Sequence, residues 1–109
     1  LTASGGIAGQ PGLFYYGSTQ LNGGNGVVFG NGLRCVGGNP YTFRIEEPAF
    51  MNSAGNTSKS IDLTSGPMGS GPGEIHSGDT FNFQLWYRDP EADPFTFNLS
   101  DAMQLTFCP

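Results

Sequence analysis

The only histidine of this chain, His76, lies beside Ser77 and Asp79 in a loop bounded by glycine and proline residues. Nucleophilic hydrolysis needs a base that a carboxylate holds within hydrogen-bond reach of a serine or cysteine. No Gly-x-Ser-x-Gly elbow is present, and a disulfide explains the two cysteines better than a nucleophile does. We therefore expect His76 to be a surface residue and the protein not to be an enzyme.

A glycosidase needs two carboxylates that face each other across a cleft. Glu46 and Glu47 are adjacent in the chain, so in a strand they point to opposite faces. A domain of 109 residues also has little room for a deep cleft. Both observations argue against glycoside hydrolysis.

Carboxylates alternate at Asp89, Glu91 and Asp93, as they do in calcium-binding loops, and Asp101 follows a few residues later. The EF-hand pattern also needs glycine at its sixth position and glutamate at its twelfth. Proline and serine stand at those positions here. We expect no metal or other cofactor to be required, and calcium binding by this acidic loop stays the alternative.

The alternating run Thr80–Arg88 is the clearest β-strand of the sequence. Because successive side chains of a strand point to opposite faces, Phe81, Phe83, Leu85 and Tyr87 are expected on the core side. The opposite face then carries Asn82, Gln84, Trp86 and Arg88.

Trp86 is the strongest candidate for a contact with another molecule. A tryptophan beside amides and a guanidinium is how sugar sites combine stacking with hydrogen bonds, and the same residue types are common at protein–protein hot spots. A third interpretation is that a Gly-rich loop covers Trp86, or that Arg34, Arg44 or Arg88 stacks on it. The candidate ligand or assembly contacts are Trp86, Arg88, Asn82, Gln84, Tyr15 and Tyr16, with Tyr41 as a further aromatic.

Two segments fit the N-glycosylation sequon, one beginning at Asn56 and one at Asn98. Asn56 lies among Asn, Ser and Thr residues, as in an exposed loop, and is the candidate glycosylation site. Asn98 falls in an expected strand, where chance explains the match better.

The charge of the chain excludes two classes of partner. Four Lys and Arg against nine Asp and Glu give a net charge of −5, with no basic cluster, so we expect no binding to nucleic acid or anionic lipid. No apolar run is long enough for membrane insertion. The chain starts at Leu1 without a signal-peptide pattern, which we interpret as a processed protein or a segment of a longer one.

The two cysteines, Cys35 and Cys108, lie far apart, and no further Cys or His supports a zinc site. We predict a disulfide between them, with a pair of buried thiols as the alternative. A structural disulfide implies an oxidising compartment, so we expect an extracellular or cell-surface location.

Turns rich in glycine and asparagine separate about eight short strands, among them Met103–Phe107, where Met103, Leu105 and Phe107 are expected to face inward. This spacing is typical of sandwiches and jelly rolls. The prediction is an all-β fold, a single jelly-roll-like β-sandwich over residues 13–109 with one disulfide and negligible helix. An extended N-terminal segment, residues 1–12, precedes it.

Several segments together resemble one module of large secreted proteins from environmental bacteria. They are Arg34-Cys35-Val36-Gly37-Gly38, Asp62-Leu63-Thr64-Ser65, Asn82 through Pro90 with its Trp-Tyr-Arg-Asp-Pro ending, Phe97-Asn98-Leu99-Ser100-Asp101, and Cys108-Pro109. The resemblance spans nearly the whole chain and implies a secreted β-sandwich with a structural or accessory role. It implies no catalytic residue.

We therefore predict a non-catalytic, extracellular structural or adhesive module whose partners are neighbouring copies or other domains of a secreted protein. One form of this role is a filament subunit, in which Ile7 and Leu13–Tyr16 extend along an edge strand of the next subunit. The alternative is a carbohydrate-binding accessory module that uses Trp86 as a stacking platform for glycans.

Overall fold

The computed structural model describes residues 1–30, 32–38, 42–45, 48–64, 66–90 and 96–107. The fold is all-β with almost no helix, which confirms that part of the prediction. Helical turns within these ranges are confined to α1 (Gly66–Gly69) and two 3₁₀ turns at Leu21–Gly24 and Gly71–Gly73, and none of them is long and apolar enough to cross a membrane. The strands are β1 (Thr2–Ala3), β2 (Pro11–Gly17), β3 (Thr19–Gln20), β4 (Val27–Phe29), β5 (Gly32–Arg34), β6 (Val36–Gly37), β7 (Phe43–Arg44), β8 (Ala49–Phe50), β9 (Thr57–Ser58), β10 (Thr80–Arg88), β11 (Phe97–Leu99) and β12 (Met103–Thr106).

A six-stranded antiparallel sheet forms the centre of the fold. Its middle strands are β2 and β10, which pair so that Phe14 lies opposite Leu85 and Tyr16 opposite Phe83. The outer edge of β10 is shared by β11 and β12, and the outer edge of β2 is shared by β7 and β8. Each middle strand is therefore paired along both edges.

The hydrophobic core lies on one face of this sheet. Alternate residues of the two middle strands form one side of the core. Residues from other strands, from loops and from α1 pack against them. Burial of such large apolar side chains is the main force that holds the sheet and its loops together. The core consists of Phe14, Tyr16, Ile45, Met51, Met68, Ile75, Phe83 and Leu85.

Two-stranded ribbons cover part of the opposite face. One pairs β3 with β6, and the other is the hairpin of β4 and β5. As a result, the consecutive residues Asn82, Phe83, Gln84 and Leu85 of β10 are all buried, whichever face they point to. The described residues contain this one large sheet and three two-stranded pairs, and the jelly-roll arrangement stays a prediction.

The expectation for β12 is only partly correct. Leu105 and Phe107 pack against the core as predicted. Met103 lies opposite Phe83 in the register, yet it is 45% exposed. The reason is that β12 is an edge strand, which has a neighbouring strand on one side only.

The N-terminal segment, residues 1–12, packs against its own domain. β1 pairs with β9, and the ammonium group of Leu1 donates a hydrogen bond to the carbonyl oxygen of Lys59 at 2.9 Å. The amide of Gly6 donates to the carbonyl oxygen of Gly55, also at 2.9 Å. The end of the segment, from Pro11, already belongs to β2. Its backbone is thus largely engaged within the chain.

Candidate functional site

The side chain of Gln84 is buried and fully hydrogen-bonded. Its Oε1 accepts from the hydroxyl of Tyr15 at 2.7 Å and from the amide of Cys35 at 3.0 Å. Its Nε2 donates to the carbonyl oxygens of Leu33 at 2.9 Å and Ser100 at 2.7 Å. A glutamine amide can make four such bonds, so none remains for a ligand.

Asn82, two residues earlier on the same face, is similarly engaged. Its Oδ1 accepts from Nε2 of Gln20 at 3.3 Å and from Nε2 of Gln104 at 3.2 Å. Its Nδ2 donates to the carbonyl oxygen of Gly17 at 3.4 Å. The prediction that Asn82 and Gln84 contact a ligand or a neighbouring subunit is therefore wrong, because each is only 2% exposed and bonds the neighbouring segments to β10.

Beyond these amides, the same face of the sheet opens into a cleft of about 170 Å³. Antiparallel register places Leu13 and Leu99 on either side of Trp86, so that the three residues form one row across β2, β10 and β11. Tyr15 lies next to this row, with Arg44 as its partner on β7. These residues form the floor and one border of what we call the Trp86 cleft.

The β4–β5 hairpin supplies the other border through Phe29 and Arg34. The ring of Phe29 lies 5.4 Å from that of Phe97 on β11. The hairpin approaches β11 so closely that a Cβ at Gly30, where φ is +62°, would overlap the Phe97 ring. Glycine permits this close approach, because a side chain here would strain the backbone and overlap the ring.

Arg34 is held firmly at this border. Its guanidinium lies 5.6 Å from the ring centre of Tyr15 and 5.4 Å from that of Phe29, which is the geometry of a cation–π contact. Its Nε donates to the carbonyl oxygen of Val36 at 3.2 Å, and Nη2 donates to Oγ1 of Thr42 at 3.4 Å. Arg34, one of the three arginines considered as cover for Trp86, therefore stacks on two other rings.

Trp86 itself is 37% exposed and contacts the ring of Phe97 edge-on, with 5.6 Å between the ring centres. It borders both the Trp86 cleft and a second, apolar depression of about 200 Å³. Arg88, also exposed, lines that second depression. Trp86 and Arg88 thus lie on the face opposite the core, as the alternation of Thr80–Arg88 predicts, and both are exposed.

The two candidate tyrosines lie in different environments, because adjacent residues of β2 point to opposite faces. Tyr16 is fully buried in the core and donates to the carbonyl oxygen of Gly73 at 2.7 Å, so the prediction that it contacts a ligand is wrong. Tyr15 lines the cleft. Burial raises the pKa of each phenol to about 12, although Arg34 acts in the opposite direction on Tyr15. Tyr41 lies outside the described residues.

Three arginines surround this surface. Arg34 and Arg44 line the Trp86 cleft, and Arg88 lines the adjoining depression. They are all the arginines of a chain with only four basic side chains and a net charge of −5. Among the residues that the structure describes, no carboxylate oxygen lies within 4.0 Å of any of them. The sequence predicted a contact role for Arg88 but considered Arg34 and Arg44 only as cover for Trp86, since tertiary pairing cannot be read from spacing.

His76 is exposed, as the sequence predicts. Its Nε2 lies 3.1 Å from a carboxylate oxygen of Glu74, and Nδ1 lies 3.4 Å from one of Asp79. The backbone amide of His76 also donates to Asp79 at 2.8 Å. This small polar cluster stabilises the turn before β10.

The remaining candidate sites are partly outside the described ranges. Glu91 and Asp93 of the acidic loop are not described, and the described residues contain no group of three metal-binding side chains. Cys35 has a free, half-buried thiol, while Cys108 lies outside the described residues, so the disulfide stays a prediction. Asn56 lies in a turn where its backbone amide donates a hydrogen bond to Oδ1 of Asn52 at 3.0 Å. The residue is exposed, which is compatible with a glycan on its side chain.

Comparison of the chain with known proteins found no match among protein-family models, curated proteins or solved structures. The likeness to modules of secreted bacterial proteins therefore stays a resemblance, and the geometry of the Trp86 cleft is the observation that bears on function.

Proposed function

We propose that this domain is a non-catalytic, extracellular adhesive module that binds carbohydrate in the Trp86 cleft. The observation that carries the proposal is a half-exposed Trp86 at the floor of an open cleft that guanidinium groups border. A sugar ring offers an apolar face that can stack on an aromatic side chain and hydroxyl groups that accept hydrogen bonds. Both requirements meet in this cleft.

The polar contacts of the proposed site differ from those expected from the sequence. The amides of Asn82 and Gln84 are used internally, so the guanidinium groups of Arg34 and Arg44 take over as donors. Thr42 adds a hydroxyl to the lining. Arginine suits this role because its planar group can donate two parallel hydrogen bonds.

Rigidity of the cleft supports binding. Leu13, Tyr15 and Trp86 lie on the two middle strands, which are paired on both edges, and the hairpin border packs on Phe97. A site that is already ordered before binding loses less conformational entropy when the ligand enters. Weak contacts with a single sugar ring can then give measurable affinity.

The proposal also includes the fold, the location and the disulfide of the domain. We propose that the domain is a jelly-roll-like sandwich which acts outside the cell and contains a Cys35–Cys108 disulfide. Burial of both faces of β10 supports the sandwich. The sequence resemblance supports secretion, and the distant cysteine pair supports the disulfide.

A structural role through self-assembly is the second candidate function. The exposed pair Val28 and Leu33, which lie opposite each other on the β4–β5 hairpin, favours it. The N-terminal segment no longer favours it, since β1 pairs with β9 of the same chain. A filament would thus need a different contact from the one that the sequence suggests.

The test is binding to a panel of immobilised polysaccharides with three proteins: the wild type, Trp86→Ala and Phe50→Ala. Phe50 is a matched control, because it is an exposed aromatic that lines neither depression. We expect Trp86→Ala to lose binding at least tenfold and Phe50→Ala to retain it. Sedimentation of the same samples measures assembly. Retained binding by Trp86→Ala, or no binding by the wild type, would overturn the proposal.

A further inference from the structure

We propose that the Trp86 cleft selects a negatively charged sugar, one whose ring has a carboxylate or a sulfate ester that Arg34 and Arg44 bind. This inference rests on the proposed function and names its ligand class. It comes from the kinds of hydrogen-bonding group that line the cleft and from the distribution of charge over the chain.

The polar side chains that line the cleft are mainly donors. Arg34 and Arg44 have donor groups only, and the hydroxyl of Thr42 already accepts a bond from Arg34. The hydroxyl of Tyr15 donates its hydrogen to Gln84. Sites for neutral sugars need acceptors as well as donors, because each sugar hydroxyl is both. A donor-rich lining fits a ligand that is rich in acceptors, such as an anionic group.

Arg34 and Arg44 both line the cleft, and each belongs to a segment beside Tyr15. Arg34 lies over the ring of Tyr15, and Arg44 is the cross-strand partner of Tyr15 on β7. Stacking and two hydrogen bonds fix Arg34, whereas Arg44 is exposed and makes no hydrogen bond to another described residue. An anion bound in the cleft would contact one fixed and one exposed guanidinium, in the same cleft as Trp86.

Charge distribution points the same way. A chain with a net charge of −5 has its three arginines around one surface, and no described carboxylate pairs with them. Two like charges in a partly enclosed cleft repel each other, so a ligand that supplies the counter-charge is favoured over a neutral one. The size of the cleft, about 170 Å³, suits one ring of a polymer.

The test compares charged and neutral forms of the same polysaccharide. The probes are polygalacturonate, its fully methyl-esterified form, dextran sulfate and dextran, each at low and high salt. We expect the wild type to bind at least one charged form tenfold or more tightly than its neutral counterpart, and to lose this preference at high salt. Preference within the polygalacturonate pair identifies a carboxylate, and preference within the dextran pair identifies a sulfate ester.

The variants are Arg44→Gln and, as a control with the same change of charge, Lys59→Gln, because Lys59 lines neither depression. We expect Arg44→Gln to reduce binding of the charged probe at least tenfold and Lys59→Gln to change it less than twofold. If wild type and Arg44→Gln bind neutral and charged forms equally while Trp86→Ala binds neither, the charge preference is wrong and the proposed function stands. If the wild type binds none of the probes and none of the wider panel, both are wrong.

Discussion

The hydroxyl of Tyr15 donates a 2.7 Å hydrogen bond to Oε1 of Gln84, across the two middle strands of the sheet. The ring of Tyr15 lines the Trp86 cleft, while its hydroxyl belongs to the buried amide network behind it. One residue thus connects the proposed ligand surface with the hydrogen bonds that hold the covering segments in place. Substitutions in that network should therefore change the position of Tyr15 in the cleft.

Gln84→Glu should destabilise the fold strongly. The new carboxylate would face the carbonyl oxygens of Leu33 and Ser100, which now accept bonds from Nε2 of Gln84. Leaving such groups buried and unpaired should lower the free energy of unfolding by about 3 kcal/mol or more. Urea denaturation measures the loss. Gln104→Glu is the control, since the side chain of Gln104 is exposed and bonds only Asn82. This change should lower the free energy of unfolding by less than about 1 kcal/mol.

Tyr15 and Tyr16 should ionise at a higher pH in the folded protein than in the unfolded chain. Burial raises the pKa of both from 10.0 to about 12, so each phenol holds its proton more tightly when folded than when unfolded. The stabilisation is complete below pH 10 and is lost as the pH rises toward 12. Phenolate absorbance should show a titration step above pH 10, and Tyr16→Phe should reduce the amplitude of that step. Titration of every tyrosine near pH 10 in the native protein would contradict the expectation.

Gly30→Ala should displace the hairpin from β11. The added methyl group would overlap the Phe97 ring at a position where φ is +62°. Gly23→Ala is the matched control, because its φ of +64° is nearly the same and a Cβ there meets nothing within 4 Å. The difference in stability isolates the clash, and we expect Gly30→Ala to cost about 1–3 kcal/mol more. Fluorescence of Trp86, the only tryptophan, should change in Gly30→Ala alone.

The cysteine pair gives a prediction that mass spectrometry can check. We expect Cys35 and Cys108 of protein produced in an oxidising compartment to resist alkylation until a reductant is added. Reduction should then lower the free energy of unfolding by about 2–5 kcal/mol. Alkylation of both thiols in the unreduced native protein would show that they are free.

Sequence patterns predicted the all-β class and the strand Thr80–Arg88, whose bounds agree with β10. Period-two alternation also placed Phe83 and Leu85 in the core and Trp86 on the other face. It failed for Asn82 and Gln84, because alternation assigns a face but does not reveal what covers it. Their partners, such as Gln20 and Leu33, lie far away in the chain. The Trp86 cleft was missed for the same reason, since β7, β4 and β5 meet there only through tertiary pairing.

The position of β2 in the sheet has a consequence for how the chain reaches this structure. β2 lies near the start of the sequence, yet its strand partners β7, β8 and β10 all follow it, the central one only at Thr80–Arg88. Folds whose contacts join distant parts of the chain form slowly, in about milliseconds to seconds. During synthesis, the apolar segment Leu13–Tyr16 is made before its central partner, β10, and stays unpaired with it in the meantime. A chain of this topology should therefore fold more efficiently with chaperones that protect that segment from aggregation until β10 has been made.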